Sequence, residues 1–153
     1  MRIIVVGMLV FTALALPVGH GIAADSGPRA PATDNLTAAR ARIADKNWPA
    51  AIEELKRVND TGSADWNNLM GYSLRKSGAA SYAEAERFYG EALRIDPKHR
   101  AALEYSGELY LAMGNLTKAE QRLATLDKVC LFPCEEFTDL KKAVATYKAA
   151  GGK

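Results

Sequence analysis

Cys130 and Cys134 are the only two cysteines in the 153-residue sequence, and they stand four positions apart. Such a pair supports three chemistries. In an oxidising compartment it closes a disulfide. As free sulfurs it can take soft Cu(I) with a third ligand, or act as an exchangeable thiol pair. Phe132 and Pro133 between the cysteines predict a tight bend, which would bring their Cα atoms within the roughly 4.4–6.8 Å that a bridge requires. A loop this short gains little chain entropy, so a bridge here is expected to fix the bend between two elements rather than to dominate stability. With His20 set aside in the N-terminal leader, the other reactive group is His99, in a turn after Pro97. A Ser/His/Asp or Cys/His arrangement would have to use it, but its place at the entry to a helix predicts a solvated turn residue. One such histidine and two cysteines do not make a four-ligand zinc site. Gly71, Gly78, Gly107 and Gly114 follow helix packing and helix ends rather than a phosphate-cradling loop. No catalytic residue, metal or cofactor is expected, and the chain is not expected to be an enzyme.

The elements that must position these groups begin after an N-terminal leader. Met1 and Arg2 precede an apolar run from Ile3 to Leu16, then Pro17, Gly19, Gly21 and the small pair Ala23–Ala24. That is the layout of a secretory signal peptide over residues 1–24, with cleavage near Ala24. The run is short of the roughly 20 residues of a membrane span, and no stable span is expected once it is removed. Residues 25–33, with Pro28 and Pro31, read as a flexible leader. The expected location is therefore periplasmic or secreted. Formal net charge is +2, and Arg2 leaves with the signal, so the basic surplus that marks nucleic-acid binders is missing.

Seven helices are expected and no strand, because apolar residues recur at helical spacing and nowhere alternate with period two. The expected spans are Asp34–Ala44, Pro49–Asn59, Ala64–Lys76, Ser81–Ile95, Arg100–Ala112, Leu116–Val129 and Glu135–Ala149. Ser81 with Glu84 predicts a capping box, and Asn115 a cap for the sixth helix. Ala51, Ala85 and Ala119 lie 34 residues apart, each with Trp48, Tyr82 or Leu116 three before it and Leu55, Tyr89 or Leu123 four after. Repetition at this period signals stacked helical hairpins. Trp48, Trp66, Tyr82, Phe88, Tyr89, Tyr105 and Tyr110 are expected in the core rather than on a base-stacking platform.

The run Gly71, Leu74, Gly78, Tyr82, Ala85, Tyr89, Ala92 and Pro97 resembles the tetratricopeptide repeat. Leu103, Gly107, Tyr110, Gly114, Leu116, Ala119, Leu123 and Leu126 resemble it again, and Trp48, Ala51, Leu55 and Val58 match its second half. The small residues would sit where the two helices of a hairpin cross closely. Gly71 to Ala85 is two residues longer than Gly107 to Ala119, which places two extra loop residues within Ala79–Ser81. The resemblance implies an all-α, right-handed α-solenoid over residues 34–129, with hairpins at 34–62, 63–97 and 98–129. Residues 130–153 then form the Cys-x-x-x-Cys bend and a capping helix, with Phe137, Leu140, Val144 and Tyr147 on its apolar stripe.

First helices of such hairpins line a concave face, and the resemblance makes that face a groove for a protein or peptide partner. Arg40, Asn68, Tyr72, Arg75, Lys76, Glu104 and Glu108 fall there, with Leu111. The groove is expected to run from basic at Arg40, Arg75 and Lys76 to acidic at Glu104 and Glu108. The function expected is a protein–protein interaction adaptor or scaffold of the cell envelope. The alternative is a thiol-redox or Cu(I)-handling accessory protein of the envelope, working through Cys130 and Cys134.

Overall fold

The computed structural model describes residues 34–132 and 134–152. The expected signal peptide and leader lie outside them. The described residues form seven α-helices and no strand: α1 Thr37–Ala44, α2 Trp48–Val58, α3 Ala64–Ser77, α4 Tyr82–Ile95, α5 Arg100–Ala112, α6 Leu116–Val129 and α7 Glu135–Ala149. None of them is long and apolar enough to cross a membrane.

Capping residues set most of the boundaries. The side chains of Asn47, Ser63 and Asn115 accept backbone N–H groups of Ala50, Trp66 and Lys118 at 3.1–3.2 Å, satisfying donors left free in a first helical turn. Gly78 ends α3 with φ +123°, a backbone conformation that L side chains rarely adopt. Helix α1 begins later than the expected Asp34, because Asp34 spends its acceptors on a turn. Its carboxylate takes the Leu36 N–H and its carbonyl the Thr37 N–H, both at 3.0 Å. The expected capping box at Ser81 does not form. Ser81 closes a 3-10 turn, Ala79–Ser81, which absorbs the two extra residues of the middle hairpin. Its backbone (φ −101°, ψ 4°) is not the extended form a capping side chain needs, and its N–H is already held by the Gly78 carbonyl.

His99 departs from the expected solvated turn residue. Its side chain is 12% exposed, its Nδ1 accepts the Ala102 N–H at 3.1 Å to cap α5, and Nε2 lies 2.9 Å from Asp65 at the start of α3. Since Nδ1 accepts, Nε2 carries the proton and donates to Asp65. His99→Ala is expected to lower the unfolding free energy by about 1 kcal/mol, the usual worth of an N-cap. His99→Asn, which restores a capping oxygen without reaching Asp65, should lose less. Denaturant unfolding of the two variants checks this.

The hairpins α1–α2, α3–α4 and α5–α6 stack in chain order, with α2 against α3 and α4 against α5. Two apolar clusters result, and α5 belongs to both. It gives Ala102 and Leu109 to the first and Leu103, Tyr110 and Leu111 to the second, while Leu93 touches each. The seam is therefore continuous from Leu36 to Val144. Gly71 permits the α3–α4 crossing, since a Cβ there would lie 2.9 Å from the Tyr89 ring and 3.2 Å from the Ala85 carbonyl. Gly107 serves a different contact from the hairpin crossing expected of it. Its missing Cβ would meet Leu140 of α7 at 2.5 Å, so it seats the terminal helix. Leu140 and Val144 are buried against α5 and α6, as the apolar stripe of α7 predicts.

Candidate functional site: the inner face of the helical stack

Helices α1, α3, α5 and α7 lie side by side, each touching the next. Their shared face carries a cluster contributed by α2, α3 and α5. Tyr72 packs edge-on against Trp48, with centroids 6.0 Å apart, and leans on Tyr105 at 4.7 Å. The Arg75 guanidinium lies 5.5 and 5.7 Å from the Tyr72 and Tyr105 rings, and Lys76 Nζ lies 5.8 Å from Tyr72. Arg75 also pairs with Glu108 at 2.7 Å across α3 and α5, with its side chain only 12% exposed. Burial works against the Arg75 charge. The adjacent Tyr89 and Glu108 more than offset it, and its pKa lies above the ordinary arginine value. Desolvation drives the buried Tyr89 hydroxyl well above the usual tyrosine range, so it stays neutral.

The seven residues expected in the groove thus divide. Tyr72, Arg75, Lys76 and Glu108 come together around Tyr105. Asn68 is buried, and its Oδ1 has no partner among the described residues. Arg40 instead makes exposed ion pairs with Asp34 at 3.2 Å and Asp65 at 3.4 Å, and Asp65 in turn accepts from the His99 ring. Glu104 is 8% exposed. The pairing of Arg75 with Glu108 takes one charge from each end of the expected basic-to-acidic gradient. Lys76 stays exposed on α3, while Glu104, Glu136 and Asp139 gather between α5 and α7.

There, two hollows escape the sequence pattern, which gives α7 only a capping role. One of about 640 Å³ has Leu111, Ala112, Ala143, Tyr147 and Ala150 among its lining, with Glu108, Asp139 and Lys142. A smaller one of about 190 Å³ is lined by Glu104, Tyr105, Glu135, Glu136 and Asp139. The missed signal is a second stripe on α7. Glu136, Asp139, Ala143 and Thr146 recur at spacings of three and four, next to the buried stripe.

The cysteines join α6 to α7. The Cys130 N–H donates to the Leu126 carbonyl at the end of α6, and Cys134 immediately precedes α7. Their Cα atoms are 5.9 Å apart and their sulfurs lie at bonding distance. Leu131 and Phe132 between them stand 92% and 84% exposed.

Residues 78–129 match the family model of the tetratricopeptide repeat, over α4 to α6. Among solved structures, the chain is similar to the type III secretion chaperone SycD of Yersinia enterocolitica in complex with a peptide of the translocator YopD. The TM-score is 0.62 and the identity 18%, over 76% of this chain and 88% of that one. At this identity the likeness concerns the fold. No curated protein matches the sequence.

Proposed function

We propose, from the premise that this chain is a tetratricopeptide-repeat protein, that it works without catalysis as an adaptor whose inner face holds a segment of a protein partner. The single observation that carries this reading is the aromatic and charged cluster of Tyr72, Tyr105, Arg75 and Glu108 leading into the α5–α7 hollow. Aromatic rings and a pre-paired arginine give a peptide rigid contact area at low entropic cost. The solved SycD complex with a YopD peptide supports a peptide as the type of guest. Photo-crosslinkers placed at Lys76 and Lys142 on the inner face, and at Arg57 and Arg87 elsewhere, test the assignment. Adducts from the first pair alone are expected. Equal yield from the second pair overturns it.

The signal-like N-terminus supports an envelope or secreted location, and with it a structural disulfide between Cys130 and Cys134. The sulfurs at bonding distance between two helix ends favour a staple over a Cu(I) or exchange site. Thiol titration of exported protein is expected to find no free thiol. Reduction should cost ~2 kcal/mol, the chain-entropy value for so short a loop. Thiols that titrate freely, or that exchange rapidly with glutathione, would move the reading to the redox alternative.

A further inference from the structure

Glu104 is a buried carboxylate with more like than opposite charge around it. It is 8% exposed, lines the small hollow and is in none of the ion pairs among the described residues. Burial pushes its pKa up to about 7, and the neighbouring Glu108, Asp139 and Glu136 push the same way, opposed by Arg75. From α7, Glu135, Glu136 and Asp139 face it across the small hollow, and Tyr105 presents an aromatic ring there. Arg100 reaches Glu136 at 3.5 Å, but from an exposed position. Among the described residues no three His, Cys, Asp or Glu side chains converge closely enough to hold a metal ion. Spread carboxylates beside an aromatic face suit a larger organic cation, which can donate to several oxygens and lie against the ring.

The larger hollow continues from the same place, since Asp139 lines both. Its floor is apolar at Leu111, Ala143 and Tyr147. Glu104 and Leu111 are seven residues apart on α5, about 10.5 Å along a helix. An extended chain covers that distance in about three residues.

We infer that the α5–α7 end of the inner face takes an extended peptide bearing a lysine or arginine and, three positions away, an apolar residue. The cation meets Glu104, Glu136 and Asp139, and the apolar side chain meets Leu111, Ala143 and Tyr147. This inference rests on the groove reading above and narrows it to a partner chemistry. Binding the cation draws the proton from Glu104, so affinity rises as pH climbs through the neutral range. In the free protein the sign is opposite. The contribution of Glu104 to stability is full below the ordinary glutamate pKa and is lost as pH rises through about 7.

The test uses fluorescein-labelled dodecapeptides of serine and glycine with one lysine and one leucine three positions apart, and versions with glutamine or glutamate for the lysine. Binding is read by anisotropy at pH 6 and pH 8. The lysine peptide is expected to bind at least ~10-fold more tightly than the glutamate peptide, and more tightly at pH 8. Glu104→Gln should remove both preferences. Asp139→Asn, at an exposed position that leaves the core alone, should reduce the first even if the Glu104 variant folds poorly. Peptides that bind regardless of charge, of pH and of these two substitutions overturn the cation site and leave the groove standing. Failure of every peptide up to millimolar concentration overturns the groove and the cation site together. Spermidine that binds as tightly as the lysine peptide overturns the assignment to a peptide.

Discussion

Trp66→Ala is expected to lower the unfolding free energy by about 3–5 kcal/mol, a large share of the ~5–15 kcal/mol typical of a domain. Trp66 is 4% exposed on α3 and its ring meets Phe88 of α4 edge-on at 5.8 Å. Its indole Nε1–H donates to the Leu55 carbonyl of α2 at 2.7 Å. One side chain therefore holds two hairpins together. Truncation leaves a cavity and removes the donor, and the flanking helices cannot close on the gap without breaking the α2–α3 contact. Hydrogen exchange should show α1 and α2 losing protection before α5 and α6, since the outer hairpin has the least other anchorage. Trp66→Phe should restore much of the loss, leaving the missing hydrogen bond. A change below ~1 kcal/mol for the alanine variant, by denaturant titration, would show that the hairpins do not depend on this seam.

The second large effect concerns Arg75. Reversal to glutamate places a third carboxylate beside Glu108 and Glu104 in a site where the arginine side chain is 12% exposed. Breaking a buried pair costs about 3–5 kcal/mol because the remaining charge is left unanswered. Glu108 is 31% exposed, which places the expected cost toward ~3 kcal/mol. Arg75→Met, which keeps the stem against Tyr72 and Tyr105, should cost less. Lys76→Glu on the exposed neighbour should change stability by no more than ~0.5 kcal/mol. Thermal and denaturant unfolding of the three variants orders them. Equal effects at positions 75 and 76 would mean that the Arg75–Glu108 pair does not hold in solution. Loss of partner binding in an Arg75 variant must therefore be compared with its melting curve, whereas Lys76 and Asp139 report on recognition directly.

The repeat was legible because small residues recurring at a fixed period mark places where helices must approach closely, and α5, α6 and α7 begin and end where capping and periodicity place them. Local chemistry that depends on neighbours distant in sequence was less legible. Ser81 and Glu84 have capping-box spacing, but a 3-10 turn takes up the middle hairpin's extra residues and uses the Ser81 N–H first. His99 reads as a loop residue until Asp65, 34 positions earlier, is brought beside it by stacking. The charge gradient is blunted for the same reason, since facing helices let Arg75 and Glu108 meet and cancel. The role proposed for α7 in the groove was hidden by its stronger buried stripe, which accounts for the helix without the Glu136, Asp139 and Ala143 face beside it.

The described chain has four helices along one side of the stack and three along the other, because α7 occupies the berth of a first helix without bringing a second. The same helix that would read a guest with one stripe thus also closes the oily end of the array with its neighbour, at Leu140. A guest gripping α7 would brace the terminus at which the pile would otherwise fray, so occupancy should register as a higher melting temperature. Clipping the chain after residue 129 would blind and unseal the protein in one stroke, and a deletion of that kind cannot separate recognition from folding.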